Sequence, residues 1–257
     1  MDLEQIALEL DTGRKQHGLV VPPSHSRPGF SIEDGYAVAR FLHEERIASG
    51  VRAVGVKLGF TNQSIWEALG LTSPFWAPIY DDSVTTRRDV RLDGLVAPRI
   101  EPEIVLGTRS DLVPGASTTE ISAAVDWVAP GFEIVQCHYP DWVMAPADAV
   151  ADAGLHGALV VGDRVSGPAD DVALASTRVV LELNGTVVAE GKGADALGGP
   201  VEAVSWLLRL PGVDGLPAGS IVTTGTLTAA FPIAAGERWR SVCSGPTFEC
   251  HLEVAFS

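Results

Sequence analysis

The period of the hydrophobic and polar positions changes near residue 50. Leu3, Ile6, Ala7 and Leu10 recur at helical spacing. The stretch "PPSHSRPGF" breaks that pattern. Ser31 then stands where an N-cap belongs and Gly50 where a helix stops, which predicts a helix through Ala48 with Phe41 and Leu42 among its packing residues. From Val51 onward alternation takes over. "VRAVGVKLGF", "RIEPEIVLG", "GFEIVQC", "ALVVGDRV", "STRVVLELNGTVVAEG", "GSIVTTGTLTAAF" and "PTFECHLEVAF" all predict strands, and Asn184-Gly185 marks a hairpin turn inside one of them. "FWAPIYDDSVT" is extended but carries Pro78, which predicts an edge strand or an irregular segment. Helices are expected at "TNQSIWEALGL", at "STTEISAAVDWV" behind the Ser117/Glu120 capping box, and at "GPVEAVSWLLRLPG" ending near Pro211.

These elements predict an α+β chain with a helical region over 1–50 and a strand-rich body over 51–257. The strands do not alternate with long helices, which argues against a doubly wound sheet or a TIM barrel. Hydrophobic residues make up 46% of the 257, enough for a sizeable core. The formal net charge of −15 disfavours nucleic acid as a partner. Three cysteines without a C-x-x-C favour neither a disulfide framework nor a thiolate zinc site. The first residues are acidic and amphipathic, and no stretch approaches 18 uninterrupted apolar residues. The expectation is a soluble cytoplasmic protein with no membrane partner.

One strand carries a feature that a core strand does not need. Glu101 and Glu103 lie two apart, so they share a face, with backbones roughly 7 Å apart. Their neighbours Ile100, Ile104, Val105 and Leu106 are apolar. Two buried like charges raise each other's pKa or demand a counter-charge, and a hard cation such as Mg²⁺ supplies one. A lone E-x-E is more often a solvated strand face. Glu133 stands alone in a second apolar strand, and the helix between gives the chain room to return and set the two strands side by side. Three glutamates converging there would make an open, all-oxygen site. "GKGADALGG" lacks the pattern of a phosphate-binding loop, so nucleotide binding is not expected.

The ordered set Lys57-Leu58-Gly59-Phe60-Thr61, Tyr80-Asp81-Asp82, Arg99-Ile100-Glu101-Pro102-Glu103-Ile104 and Gly131-Phe132-Glu133-Ile134-Val135, followed by "DAVADAGLHGALVVG", "GKGADALGGPVEAVSWL" and "AGSIVTTGTLTAAFPIAAGE", resembles the 2-keto-4-pentenoate hydratase and 4-oxalocrotonate decarboxylase family of the fumarylacetoacetate hydrolase superfamily. The resemblance runs from about residue 50 to the C-terminus. It implies a mixed β-roll or barrel with an N-terminal helical portion, Mg²⁺ or Mn²⁺ held by Glu101, Glu103 and Glu133, homo-oligomers, and 2-oxo acid or dienol substrates from aromatic catabolism. The reaction it implies first is hydration of a 2-hydroxy-2,4-dienoate. The alternatives are decarboxylation of a 4-oxalocrotonate-type acid, oxaloacetate decarboxylation or tautomerisation, and a non-catalytic subunit partnering a paralogous decarboxylase or hydratase.

It also implies Lys57 as a proton donor or electrostatic anchor, and Asp82, or Asp81 at a register one residue off, as an acid near the metal. Thr224 and Thr226 match a substrate-contact strand, where plain β-propensity explains threonines as well. His156 departs from the family pattern and is either a general acid/base or a structural histidine. Trp76, in an unusually aromatic segment, either lines a pocket for a larger substrate or packs in the core.

Overall fold

The computed structural model describes residues 2–257. Its helices are α1 (Leu3–Gln16), α2 (Pro23–Ser26), α3 (Ile32–Ala48), α4 (Trp66–Leu69), α5 (Thr118–Ala124), α6 (Pro146–Ala151), α7 (Asp171–Ser176) and α8 (Pro200–Leu207). Its strands are β1 (Ala53–Gly59), β2 (Phe75–Tyr80), β3 (Val84–Thr85), β4 (Asp89–Val90), β5 (Arg99–Thr108), β6 (Val125–Val135), β7 (His156–Val161), β8 (Val165–Ser166), β9 (Arg178–Leu183), β10 (Thr186–Lys192), β11 (Ile221–Thr223), β12 (Phe231–Pro232), β13 (Arg238–Ser244) and β14 (Glu249–Phe256).

The larger sheet runs β2-β1-β11-β5-β6-β7-β3, with β12 also pairing β5 and β8 also pairing β6. It is mixed: β1 runs parallel to β11, whereas β5 and β6 are antiparallel. The smaller sheet runs β10-β9-β13-β14-β4. Pro78 sits in β2 at the edge of the larger sheet, where its missing donor is harmless.

Side-chain alternation gives the larger sheet two different faces. Leu58, Ile104, Leu106, Val128 and Val222 share an apolar cluster with residues of α5 and α8. Ile100, Phe132, Ile134 and Val160 pack with Leu181, Trp239, Leu252 and Val254 of the smaller sheet. The opposite face carries a smaller apolar cluster of Ile79, Val105, Ala129 and Leu159. Lys57, Glu101, Glu103 and Glu133 belong to that opposite face by register, because Lys57 pairs with Thr223, Thr223 with Val105, and Glu101 with Glu133.

The capping boxes act where the sequence places them: Ser31 with Asp34 opens α3, and Ser117 with Glu120 opens α5. Helix α5 is shorter than expected, however. "VDWV" belongs to β6, because Val125 and Trp127 are needed as buried strand residues, and the Trp127 ring fills the space that a side chain at Gly107 would take. The expected strand "GSIVTTGTLTAAF" is regular over Ile221–Thr223 and again from Phe231, where β12 begins, so Thr224 and Thr226 follow β11 instead of lying on it. Phe41 is exposed, and Val38 with Leu42 supply the buried face of α3. Helices α1 and α3 share one apolar cluster with Val135, Cys137, Tyr139 and α6, which brings the start of the chain against the segment 135–155.

Candidate metal centre

Glu101 lies directly opposite Glu133 across the β5–β6 pair, and Glu103 is two residues further along β5. One carboxylate oxygen from each lies within 4.8 Å of the others. Glu103 and Glu133 are buried, and Glu101 keeps part of its surface open. Lys57 reaches in from β1. Its Nζ is 2.8 Å from Glu133 Oε1 and donates to the Gly154 carbonyl at 2.9 Å. His156 Nδ1 is 2.9 Å from the same Glu133 Oε1, and its Nε2 is 2.9 Å from Ser83 Oγ. Because a carboxylate oxygen offers no proton, the imidazole donates at Nδ1.

The electrostatics sort the three carboxyls. Burial alone would raise Glu133, but Lys57 and then His156 overcome it and hold Glu133 at about 2. Glu101 is pushed up to about 7, first by burial, with Lys57 opposing and the Glu133 charge adding to the rise. Glu103 is driven well above the ordinary carboxylate range by burial, then by Glu133 and Glu101. Lys57 would be lowered by burial, but the glutamates, Glu133 foremost, raise it above the ordinary lysine value. One buried ammonium faces three carboxyls, so the protein does not neutralise its own site.

Hydrogen bonding shows the same deficit. Glu103 Oε2 accepts from the Gly225 N–H at 2.8 Å, but Glu103 Oε1 and Glu133 Oε2 are buried without a partner among the described residues. Buried carboxylate oxygens without partners carry a large desolvation penalty unless something else satisfies them. An all-oxygen donor set converging on one point fits a hard divalent cation of the Mg²⁺ or Mn²⁺ type. Thr223 Oγ1 is a further buried orphan on this face, in register with Lys57.

The structure therefore brings Glu101, Glu103, Glu133, Lys57 and His156 together, turns Asp82 and Trp76 away, and sets Thr224 and Thr226 on either side of Gly225, whose N–H bonds Glu103. Asp82 does not face the carboxylates: its side chain is half exposed and pairs with Arg46 at 2.6 Å. Asp81, the off-by-one alternative, pairs with Arg52 at 2.9 Å. The residue of that turn that reaches the cluster is Ser83, through His156. Trp76 pairs with Leu58 and so lies on the sheet face opposite Lys57, where its Nε1 donates to the Pro211 carbonyl. Phe75 takes the expected aromatic place, with its ring 5.8 Å from Lys57 Nζ. Thr224 Oγ1 donates to the Ile104 carbonyl and Thr226 Oγ1 to the Thr228 carbonyl, so both hydroxyl protons are taken by main chain.

Comparison with known proteins agrees with this arrangement. Residues 79–254 match the family model described as fumarylacetoacetate (FAA) hydrolase, C-terminal. A 2-hydroxyhexa-2,4-dienoate hydratase of Comamonas testosteroni is 33% identical over 88% of this chain and 88% of its own length. A 4-oxalocrotonate decarboxylase of Pseudomonas sp. (strain CF600) is 32% identical over 84% of this chain and 85% of its own. Among solved structures, the 4-oxalocrotonate decarboxylase from Pseudomonas putida G7, complexed with magnesium and adipate, superposes with a TM-score of 0.90 at 26% identity, covering 99% of this chain and 97% of that one. With a family model matched over most of its length, the two-faced mixed sheet and the glutamate triad in place, this chain belongs to the fumarylacetoacetate hydrolase family, in the branch whose members are dienoate hydratases and 4-oxalocrotonate decarboxylases.

Proposed function

We propose that this protein is a divalent-metal-dependent lyase that adds water to a 2-hydroxy-2,4-dienoate. The observation that carries the reading is the Glu101, Glu103 and Glu133 cluster, with an orphaned oxygen on Glu103 and on Glu133 and with Lys57 at 2.8 Å from the other oxygen of Glu133. The three glutamates would hold Mg²⁺ or Mn²⁺, which supplies positive charge beside the 2-oxo oxygen of a chelating substrate, where negative charge develops.

The remaining chemistry falls to the chain's own groups. Hydration first moves a proton from the 2-hydroxyl to the far end of the diene, giving a conjugated 2-oxo-3-enoate. Water then adds at the fourth carbon, and a proton is delivered to the third. Lys57 stays protonated beside Glu133 and offers a charged N–H to the substrate's oxygens. His156 joins Glu133 to Ser83, and the single Ser83 proton serves either the Tyr80 carbonyl or His156 Nε2. Rotation of that hydroxyl therefore accompanies gain or loss of a proton at Nε2. This makes His156 the group best connected for passing a proton between the buried site and the Ser83 side. Thr223 Oγ1 is free to hold water or a substrate oxygen on the same face.

Sequence likeness to the Comamonas hydratase supports hydration, and structural likeness to the Pseudomonas putida G7 decarboxylase supports a second reading, loss of carbon dioxide from a 4-oxalocrotonate-type acid. Both reactions use the same carboxylate cluster, so the reacting tail decides. The test offers the Mg²⁺-loaded protein 2-hydroxyhexa-2,4-dienoate and, separately, 4-oxalocrotonate. Loss of dienol absorbance without carbon dioxide release is expected. Faster carbon dioxide release than dienol loss would replace the first reading with the second.

A further inference from the structure

The turn that supplies the Gly154 carbonyl to Lys57 and leads into His156 is held in an unfavourable backbone conformation. Ala153, Gly154 and Leu155 have φ of 50°, 66° and 61°, three successive residues in the left-handed region, two of them with side chains. Such a run persists only where its surroundings over-determine it. One side chain bonds both ends of it. Arg14, in the last turn of α1, donates through Nη1 to the Asp152 carboxylate at 2.7 Å and to the Asp152 carbonyl at 3.3 Å. Its Nη2 donates to the His156 carbonyl at 3.3 Å.

Asp152 is fully buried and also accepts from His138 Nδ1 at 2.8 Å. The Asp152 carbonyl caps the turn by accepting the Leu155 N–H at 2.9 Å. Gln136 completes the frame, accepting nothing from Arg14 itself: its N–H donates to the Leu155 carbonyl at 2.8 Å and its Nε2 to the His156 carbonyl at 3.3 Å. The planar guanidinium fork reaches two carbonyls and a carboxylate from two separate nitrogens, whereas an ammonium offers all its donors from one.

We propose that Arg14 is a positioning residue for the metal centre. By clamping Asp152 and His156, it keeps the left-handed turn in the one shape that presents the Gly154 carbonyl to Lys57 and His156 Nδ1 to Glu133. The N-terminal helix is thereby part of the working site and not only a cover for it. This rests on the reading above that Lys57 and His156 handle protons; the glutamates themselves lie on β5 and β6, which Arg14 does not touch.

The test uses the full chain with Arg14→Lys and Arg14→Met. Arg14 lines a cavity of about 410 Å³ and is partly exposed, so a shorter side chain leaves solvated space and not a dry hole. Arg14→Lys keeps the charge beside Asp152 but loses the fork, and should lower kcat by about tenfold or more, as misplacing supporting groups typically does. KM and Mn²⁺ affinity, titrated by the spin resonance of free Mn²⁺, should stay near the unmodified values. Amide exchange at Leu155 and Gln136 should accelerate, while Val38 and Leu106 keep their protection. Arg14→Met should extend the same pattern. Wild-type kcat in Arg14→Lys overturns the proposal, and so does a fall in kcat that tracks loss of Mn²⁺ affinity or uniform loss of protection. If Arg14→Met does not fold, Arg14→Lys decides alone. Amide exchange needs no substrate, so an unmodified protein that turns over neither acid sinks the functional reading, while acceleration confined to the turn still supports the clamp.

Discussion

Two clusters of buried charge lie on either side of residues 153–156, and they are built on opposite terms. In the Arg14, Asp152 and His138 cluster, every charged group has its partner: the Asp152 carboxylate takes Arg14, the His138 ring and the His138 N–H. In the Glu101, Glu103 and Glu133 cluster, carboxyls outnumber cations and two oxygens are left bare. The first is finished by the protein and serves as a frame. The second is left unfinished, and an unfinished buried polar cluster is the physical mark of a place where something else binds. Burial and charge alone do not tell the two apart; the tally of partners does.

The largest effect that bears on this contrast should come from Glu133→Ala. It strips Lys57 of its nearest counter-charge inside the core, so about 3–5 kcal/mol of stability should disappear together with all lyase activity, measurable by denaturant titration beside the assay. A variant as stable as the parent would mean that Lys57 finds another partner and that the cluster is less tightly bound together than described.

Next, Glu103→Gln should bring turnover down to the level of the chelated parent and abolish the rise in melting temperature on adding Mg²⁺, while leaving the metal-free melting temperature no lower than the parent's. The last point is the sharper one, because Glu103 Oε1 is an orphan that the amide relieves of its charge. A metal-free protein markedly weakened by this change would place Glu103 in a frame like that of Asp152.

Asp152→Ala should lie in between, costing about 1–3 kcal/mol from the unpaired His138 and Arg14, discounted because Arg14 is partly open to water. Its Mg²⁺-induced rise in melting temperature should survive, opposite to Glu103→Gln. Smallest of all, Asp82→Ala breaks only a half-exposed pair with Arg46 and should move stability by no more than about 0.5 kcal/mol and kcat by less than twofold. A large fall in kcat would return Asp82 to the reacting groups.

Much of the metal centre is legible in the sequence because strand periodicity is local. Glu101 and Glu103 share a face by spacing alone, and Glu133 follows once the intervening chain is seen to return. The direct Glu101–Glu133 pairing bears out that convergence. Local pattern is silent on the surroundings of the triad. Trp76 sits one residue from Ala77, the partner of Lys57, and in a strand one residue is the difference between two faces. Thr224 and Thr226 lie just past the end of β11, where alternation no longer says which way a hydroxyl turns. Ser83 and Arg14 reach the site through loops and a helix end whose docking depends on partners 73 and 138 residues away. The strand β13, sandwiched between β9 and β14, carries arginines at alternate positions and gives little hydrophobic signal of its own.

The pairing of β5 with β6 has a further consequence for how the chain finds its alignment. A slip by a single residue would swap the two surfaces of β5, sending Glu101 and Glu103 into the oily layer that Ile100 and Ile104 now occupy and turning those isoleucines toward Lys57. A misaligned β5–β6 pair would thus be punished twice, by carboxylates stranded without water and by a lysine stranded without acid. The acidic residues that make the protein useful also act as a ratchet tooth for its assembly, and insertions or deletions in this strand should be tolerated far less than substitutions.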